Sequence, residues 1–163
     1  MAILGISGHR PKYWGYTLET AESLKILIKD ILVQDPPTKV ITGMALGMDV
    51  IAAEACKDLK IPYVAAIPFV GQEAMWPQEA KDKYYEVLAG AQLVVTISNN
   101  GFDTSAFKKR NEYIVSNCHR MLVLYNGARR SGTGHAVGLA TKRGIPIQNI
   151  WERFLQACGQ QDV

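Results

Sequence analysis

Short apolar runs ending in glycine-rich or polar turns, each followed by an amphipathic segment of helical length, recur along this chain and restrict it to an alternating β/α architecture. Ile3-Leu4-Gly5-Ile6-Ser7 is the first such run, closing at Gly8-His9-Arg10-Pro11. Thr17 then caps a segment in which Leu18, Ala21, Leu24, Leu27, Ile28, Ile31 and Leu32 fall at helical spacing, and Asp35-Pro36-Pro37 stops it. A second run, Lys39–Thr42, leads through Gly43–Asp49 into an Ala-rich helix reaching about Leu59, and a third run spans Ile61–Ile67 before Pro68. Strands separated by helices and joined by short links need crossovers. Such crossovers are right-handed and give a parallel sheet.

The same reading places a helix at Gln78–Ala89, a strand at Leu93–Ile97, and a helix capped by Asp103 or Thr104 that carries Phe107, Arg110, Asn111, Ile114 and Val115. A strand at Met121–Tyr125, a helix at Ala136–Arg143 and a short edge strand at Gly144–Ile147 follow. The terminal helix, Trp151–Cys158, frays into Gly159-Gln160-Gln161. There is no internal repeat. The whole of residues 1–163 reads as a single α/β domain large enough to bury a proper core.

Composition narrows the function classes. About half the residues are apolar and 20% are charged, which fits an ordinary globular protein. No apolar run approaches the roughly 20 residues that span a bilayer, and Met1–Ile6 lacks the basic flank of a signal peptide. A cytoplasmic protein without a membrane partner is expected. Cys56, Cys118 and Cys158 form no CxxC pair, so neither a disulfide framework nor a zinc site is supported, and no metal or cofactor is expected. Residues 1–80 carry seven Lys/Arg against nine Asp/Glu, whereas residues 81–163 carry eleven against six. The positive charge gathers in Lys108-Lys109-Arg110 and Arg129-Arg130, short clusters that suit a phosphate-bearing small molecule better than a long duplex.

In an open parallel sheet, ligands bind beyond the carboxyl ends of the strands, so the strand-end loops carry the candidate residues. Gly8, His9 and Arg10 follow the first strand. Gly43, Gly47 and Asp49 open the second helix, where unpaired N–H groups and the helix dipole favour an anion. The loop Pro68–Pro77 offers Phe69 and Trp76 as apolar covers, Gln72 as a hydrogen-bonding group, and Glu73 as a general acid or base. Arg110 and Asn111 diverge by about 100° around their helix and need not face one site. The loop from Asn126 to His135 repeats the strand, Gly/Ser/Thr turn and helix start: Asn126, Arg129, Ser131, Gly132, Thr133 and Gly134 are its binding candidates. It lacks the Gly-Lys-Ser/Thr ending of a Walker A loop, and GxGxxG occurs nowhere in the chain.

Thr42-Gly43-Met44-Ala45-Leu46-Gly47-Met48-Asp49 resembles the Gly-x-Ala-x-Gly-x-Asp signature of the SLOG superfamily, which holds the DNA-processing A proteins and the LOG phosphoribohydrolases. Ser7–Arg10, Ala52-Ala53-Glu54, Pro68-Phe69 through Gln72-Glu73 and Trp76, Arg110-Asn111, and Tyr125–Gly134 are similar to its YpsA-type branch. The resemblance implies a Rossmann-like, doubly wound, mainly parallel sheet with helices on both faces in three layers. It also implies a nucleotide or nucleotide-derived ligand such as an ADP-ribose-like compound, sensed or processed, and frequently a homodimer. Where LOG-type enzymes carry Gly-Gly-x-Gly-Thr-x-x-Glu, this chain has Gly132-Thr133 followed by Gly134, His135 and Ala136, so that glutamate is unmatched. Either the N-glycosidase chemistry on nucleoside 5′-phosphates is missing or another carboxylate supplies it: Asp49, Glu54 and Glu73 are the candidates, with Glu73 and Glu54 the catalytic choices, although Asp49 equally suits a helix cap and Glu54 a lysine partner. Single-stranded DNA binding is a third reading, disfavoured by the small net charge.

Overall fold

A computed structural model describes residues 2–159. The expected fray at Gln160-Gln161 lies outside them. In chain order the elements are β1 (Ile3–Gly8), a 3₁₀ turn at Pro11–Tyr13, α1 (Leu18–Gln34), β2 (Lys39–Thr42), α2 (Met48–Leu59), β3 (Tyr63–Ile67) and α3 (Gln78–Ala89). Then come β4 (Leu93–Thr96), α4 (Ser105–Ser116), β5 (Arg120–Leu124), α5 (Gly132–Lys142), β6 (Ile147–Asn149) and α6 (Trp151–Gly159). The strands form one six-stranded sheet in the order β4-β3-β2-β1-β5-β6, with every pairing parallel. The Rossmann-like, doubly wound fold is therefore present.

Alternation along each strand feeds two cores, because successive side chains point to opposite faces. Leu4, Val40, Ala65, Leu122 and Leu124 pack with α1, α2, α3 and α6. Ile41, Val64, Ala66, Met121 and Val123 face the other way and pack with α4 and α5. That is the three-layer arrangement of helix, sheet and helix. The chain winds outward from β1 to β4, returns across the second face through α4, and resumes on the far side of β1 as β5. Neighbouring strands β1 and β5 thus start connections that diverge, leaving a crevice at their carboxyl ends.

Most boundaries fall within a residue of the sequence reading, and three differ by more. β3 starts at Tyr63 and not at Ile61, although the Pro62 carbonyl already accepts from the Val40 N–H of β2. The edge strand is displaced to Ile147–Asn149. The difference that matters most is at α5, which begins at Gly132 and not at Ala136. Ser131 caps it, its Oγ accepting from the Gly134 N–H at 2.9 Å. A helix placed by apolar periodicity alone starts too late here, because its first turn is made of small polar residues.

Candidate functional site

A cavity of about 220 Å³ opens at the crevice between β1 and β5. One wall is the end of β1 and the turn after it, Ser7 to Tyr13. The first turn of α5 supplies the second wall through Ser131, Gly132 and Thr133, with Arg130 just before it. α4 supplies the third, through Phe107, Arg110, Asn111 and Ile114, and Ala45 with Asp49 closes the floor.

Arg110 is the most constrained cation. It is buried, and its Nη1 donates to the Gly43 carbonyl at 2.7 Å. A Cβ on Gly43 would stand 2.6 Å from that guanidinium, so the glycine makes room for the arginine and does not itself face the cavity. Gln72 Nε2 donates to the same carbonyl at 3.2 Å. Asn111 turns toward α5, where its Nδ2 donates to the Gly132 carbonyl at 3.1 Å. The two neighbours reach different elements yet both line the cavity, because that cavity lies between those elements. The Phe107 ring has Arg10 and Arg110 each 5.9 Å from its centroid, a cation–π arrangement that desolvation strengthens.

His9 is fixed by its loop. Asn126 Oδ1 accepts from the Ala128 N–H at 2.9 Å and also contacts His9 Nε2 at 2.7 Å. An oxygen in that position makes Nε2 the protonated nitrogen. His9 Nδ1 is then a buried acceptor with no partner among the described residues. Burial lowers the His9 pKa, opposed by the Asn126 bond. Tyr13 stacks on the ring at 4.3 Å.

Asp49 is the one carboxyl among the described lining residues. Its Oδ2 accepts from the Ala45 N–H at 3.3 Å, while Oδ1, also buried, lacks a partner that meets hydrogen-bond geometry. Burial pushes its pKa up to about 6, opposed by Arg110, the Ala45 N–H, Arg10 and the Gly8 N–H. Around this reluctant anion stand Arg10, Lys12, Arg110 and Arg130, none of them in an ion pair with a described residue.

The two expected anion turns behave differently. α5 presents its first turn to the cavity, and a Cβ on Gly132 would meet nothing within 4 Å. The N–H groups that open a helix have no intrahelical acceptor, so those of Gly132 and Thr133 are available there. Gly134 is needed for another reason: a Cβ on it would lie 2.6 Å from the Arg129 carbonyl oxygen and 2.7 Å from that of Ala128. The start of α2 is instead covered. Gly47 has φ +102° and packs against Pro11 and the His9 carbonyl, and a Cβ on Gly8 would run into Met48. Ser131→Ala removes the α5 cap and should cost about 0.5–2 kcal/mol of stability, measured by chemical denaturation.

Several sequence candidates sit elsewhere. Phe69 is buried edge-on against Phe102 and Phe107, at 5.5 and 5.4 Å. Trp76 packs on Tyr84 at 5.2 Å. Glu73 is buried and accepts from the Tyr85 hydroxyl at 3.1 Å, outside the cavity. Glu54 lies on the α2 face that meets α1 and α3, paired with Lys25 and Lys83. Neither catalytic candidate reaches the crevice, since the β3–α3 loop folds over its own aromatic cluster and Glu54 is a turn and a half past the helix start. Asn126 supports His9 from behind, and Arg130 lines the cavity where Arg129 does not. Lys12, Tyr13, Phe107 and Arg130 line it in addition to the binding candidates.

A doubly wound parallel sheet with its cavity at the strand-order reversal defines a Rossmann-like α/β domain. Its particular family follows from comparison: the YpsA model, of the YspA SLOG family, matches residues 4–145, and the chain belongs to that family. The UPF0398 protein YpsA of Bacillus subtilis is 28% identical over 178 residues, covering 99% of each chain. Two solved structures share the fold. DNA processing protein A of Helicobacter pylori, a structure describing a single-stranded DNA binding mode, has a TM-score of 0.65 at 20% identity. That match covers 89% of this chain and 63% of the other, so this chain spans less than two thirds of that protein. The molybdenum cofactor carrier protein of Chlamydomonas reinhardtii has a TM-score of 0.55 at 15% identity, covering 89% and 73%. Among the described residues no helix is long and apolar enough to cross a membrane.

Proposed function

We propose that this domain binds a nucleotide or nucleotide-derived small molecule at the β1–β5 crevice, its phosphate end facing the α5 first turn. The observation that carries the reading is the charge of the cavity: four cations, Arg10, Lys12, Arg110 and Arg130, converge there without ion-pair partners among the described residues. Four cations against the single Asp49 carboxyl leave the crevice net positive around a helix start, and a phosphate stabilises such a site. Phe107 and Ile114 give the same cavity an apolar part for the remainder of the ligand. Support for binding exceeds support for cleavage, because an N-glycosidase needs a carboxyl at the reacting bond and only Asp49 is near.

A thermal-shift panel tests the reading. Adenosine 5′-phosphate, ADP and ADP-ribose should raise the melting temperature, with adenosine leaving it unchanged. A ligand at 100 times its Kd adds about 2.7 kcal/mol, several degrees for a domain of this size. Absence of any shift across phosphorylated nucleotides would overturn it. The single-stranded DNA reading draws support from the Helicobacter pylori neighbour and predicts oligonucleotide binding that weakens steeply with salt.

A further inference from the structure

Asp49 cannot retreat from an anion in the crevice. Thr42 Oγ1 donates to its carbonyl at 2.9 Å, and Gly47 ahead of it packs against Pro11 and the His9 carbonyl, so the start of α2 is pinned to β2 and to the turn after β1. The residue is only 5% exposed. Its carboxyl is also poorly compensated at close range: Oδ2 takes the Ala45 N–H at 3.3 Å, Oδ1 has no partner that meets hydrogen-bond geometry, and no described cation forms an ion pair with it. What holds its charge is the field of cations farther off.

Those cations are the ones a phosphate would engage. Arg10, Lys12, Arg110 and Arg130 line the cavity together with Asp49. An anion seated among them answers their field and sets its own negative charge beside a carboxylate that water does not screen. One response is left to the pinned side chain, which is to bind a proton. The other titratable groups in the lining are His9 and Tyr13, and Tyr84 on α3 interacts with Arg110. Only His9 among these has an ordinary pKa near neutrality, and a bound anion draws a proton toward it as well.

We infer, on the nucleotide reading of this same cavity, that anion binding is coupled to proton uptake by Asp49, so that affinity rises as the pH falls from 8 to 6. Burial already holds this carboxyl at about 6, so a further rise on binding brings the uptake to neutral pH. Titration calorimetry of the full chain with adenosine 5′-phosphate, ADP and ADP-ribose, in buffers of low and high ionisation enthalpy, counts the protons. ADP-ribose is the most direct probe, since its diphosphate bridge has no proton to exchange near neutrality. At pH 7 the wild type should take up at least about 0.3 proton per ligand, and it should bind several-fold more tightly at pH 6 than at pH 8. Asp49→Asn, neutral at every pH, should lose most of that uptake and bind more tightly than the wild type at pH 8. Infrared difference spectra of the wild type need no variant: a protonated-carboxyl band should appear on adding ligand. Binding without proton uptake, equal uptake in Asp49→Asn, as when His9 takes the proton, or absence of the band would overturn the inference and leave the nucleotide reading standing. Binding of none of the three ligands would overturn both.

Discussion

Arg110→Met should abolish the thermal shift produced by a phosphorylated nucleotide while leaving the protein folded. The side chain is 7% exposed and its guanidinium lies inside the cavity wall, so the charge it offers an anion is little screened by water. Burial lowers its pKa and the nearby Asp49 opposes that. Removing one partner of such a buried charged contact typically costs about 2–5 kcal/mol of binding, a loss of some 30- to 5,000-fold in affinity. Folding should tolerate the change. The Gly43 carbonyl keeps the Gln72 donor at 3.2 Å, and methionine refills the volume beside Phe107. Lys109→Ala, an exposed cation on the same helix, is the control and should lose far less. Calorimetric affinities for the same nucleotide, compared across the three proteins, decide the matter. Equal affinity for Arg110→Met and the wild type would remove Arg110 from the site.

The distribution of those residues shows what a linear sequence carries. Sheet and helices were legible because burial imposes periodicities of two and 3.6 residues on the chain, and strand-end position alone points to Gly8, His9 and Arg10. The Ser131-Gly132-Thr133 turn is legible by residue type, though apolar periodicity places the start of its helix a turn late. The β3–α3 loop was misleading for a physical reason. A loop rich in aromatics and glutamine has the composition of a ligand clamp, but Phe69 and Trp76 complete the apolar packing of the loop itself and Gln72 ties it to Gly43. Composition cannot distinguish those two uses. Phe107 and Lys12 lie outside the sequence candidates because nothing local records which side of α4 the long β4–β5 crossover brings to the crevice, or which way the 3₁₀ turn after β1 aims its side chains.

Asp49→Asn should change how stability depends on pH, and the sign follows from the direction of the shift. A carboxyl raised from 3.8 to about 6 by burial holds its proton in the folded chain over a range where the unfolded chain has released it. Between about pH 4 and 6 the native state therefore binds more protons, and this group makes stability fall as pH rises. Above pH 6 the lost stability levels off at about 3 kcal/mol, two pKa units at 1.36 kcal/mol each. Other groups act against it. His9 and His135 are lowered by burial, so each adds stability that is lost on acidification below their unfolded value of 6.5. Asp58, depressed to about 2 chiefly by Lys25 and Lys29, loses its contribution only below about pH 4, and it is too exposed for that contribution to be large. The wild-type curve alone thus mixes opposing slopes. The difference between wild type and Asp49→Asn isolates one, because the histidines and Asp58 are common to both. Denaturant unfolding across pH 4–8 should show the variant gaining on the wild type by about 2 kcal/mol between the two ends, because part of the full effect falls below pH 4, whatever the offset at either. A constant difference across that range would mean that Asp49 is ionised throughout, held so by Arg110 and Arg10.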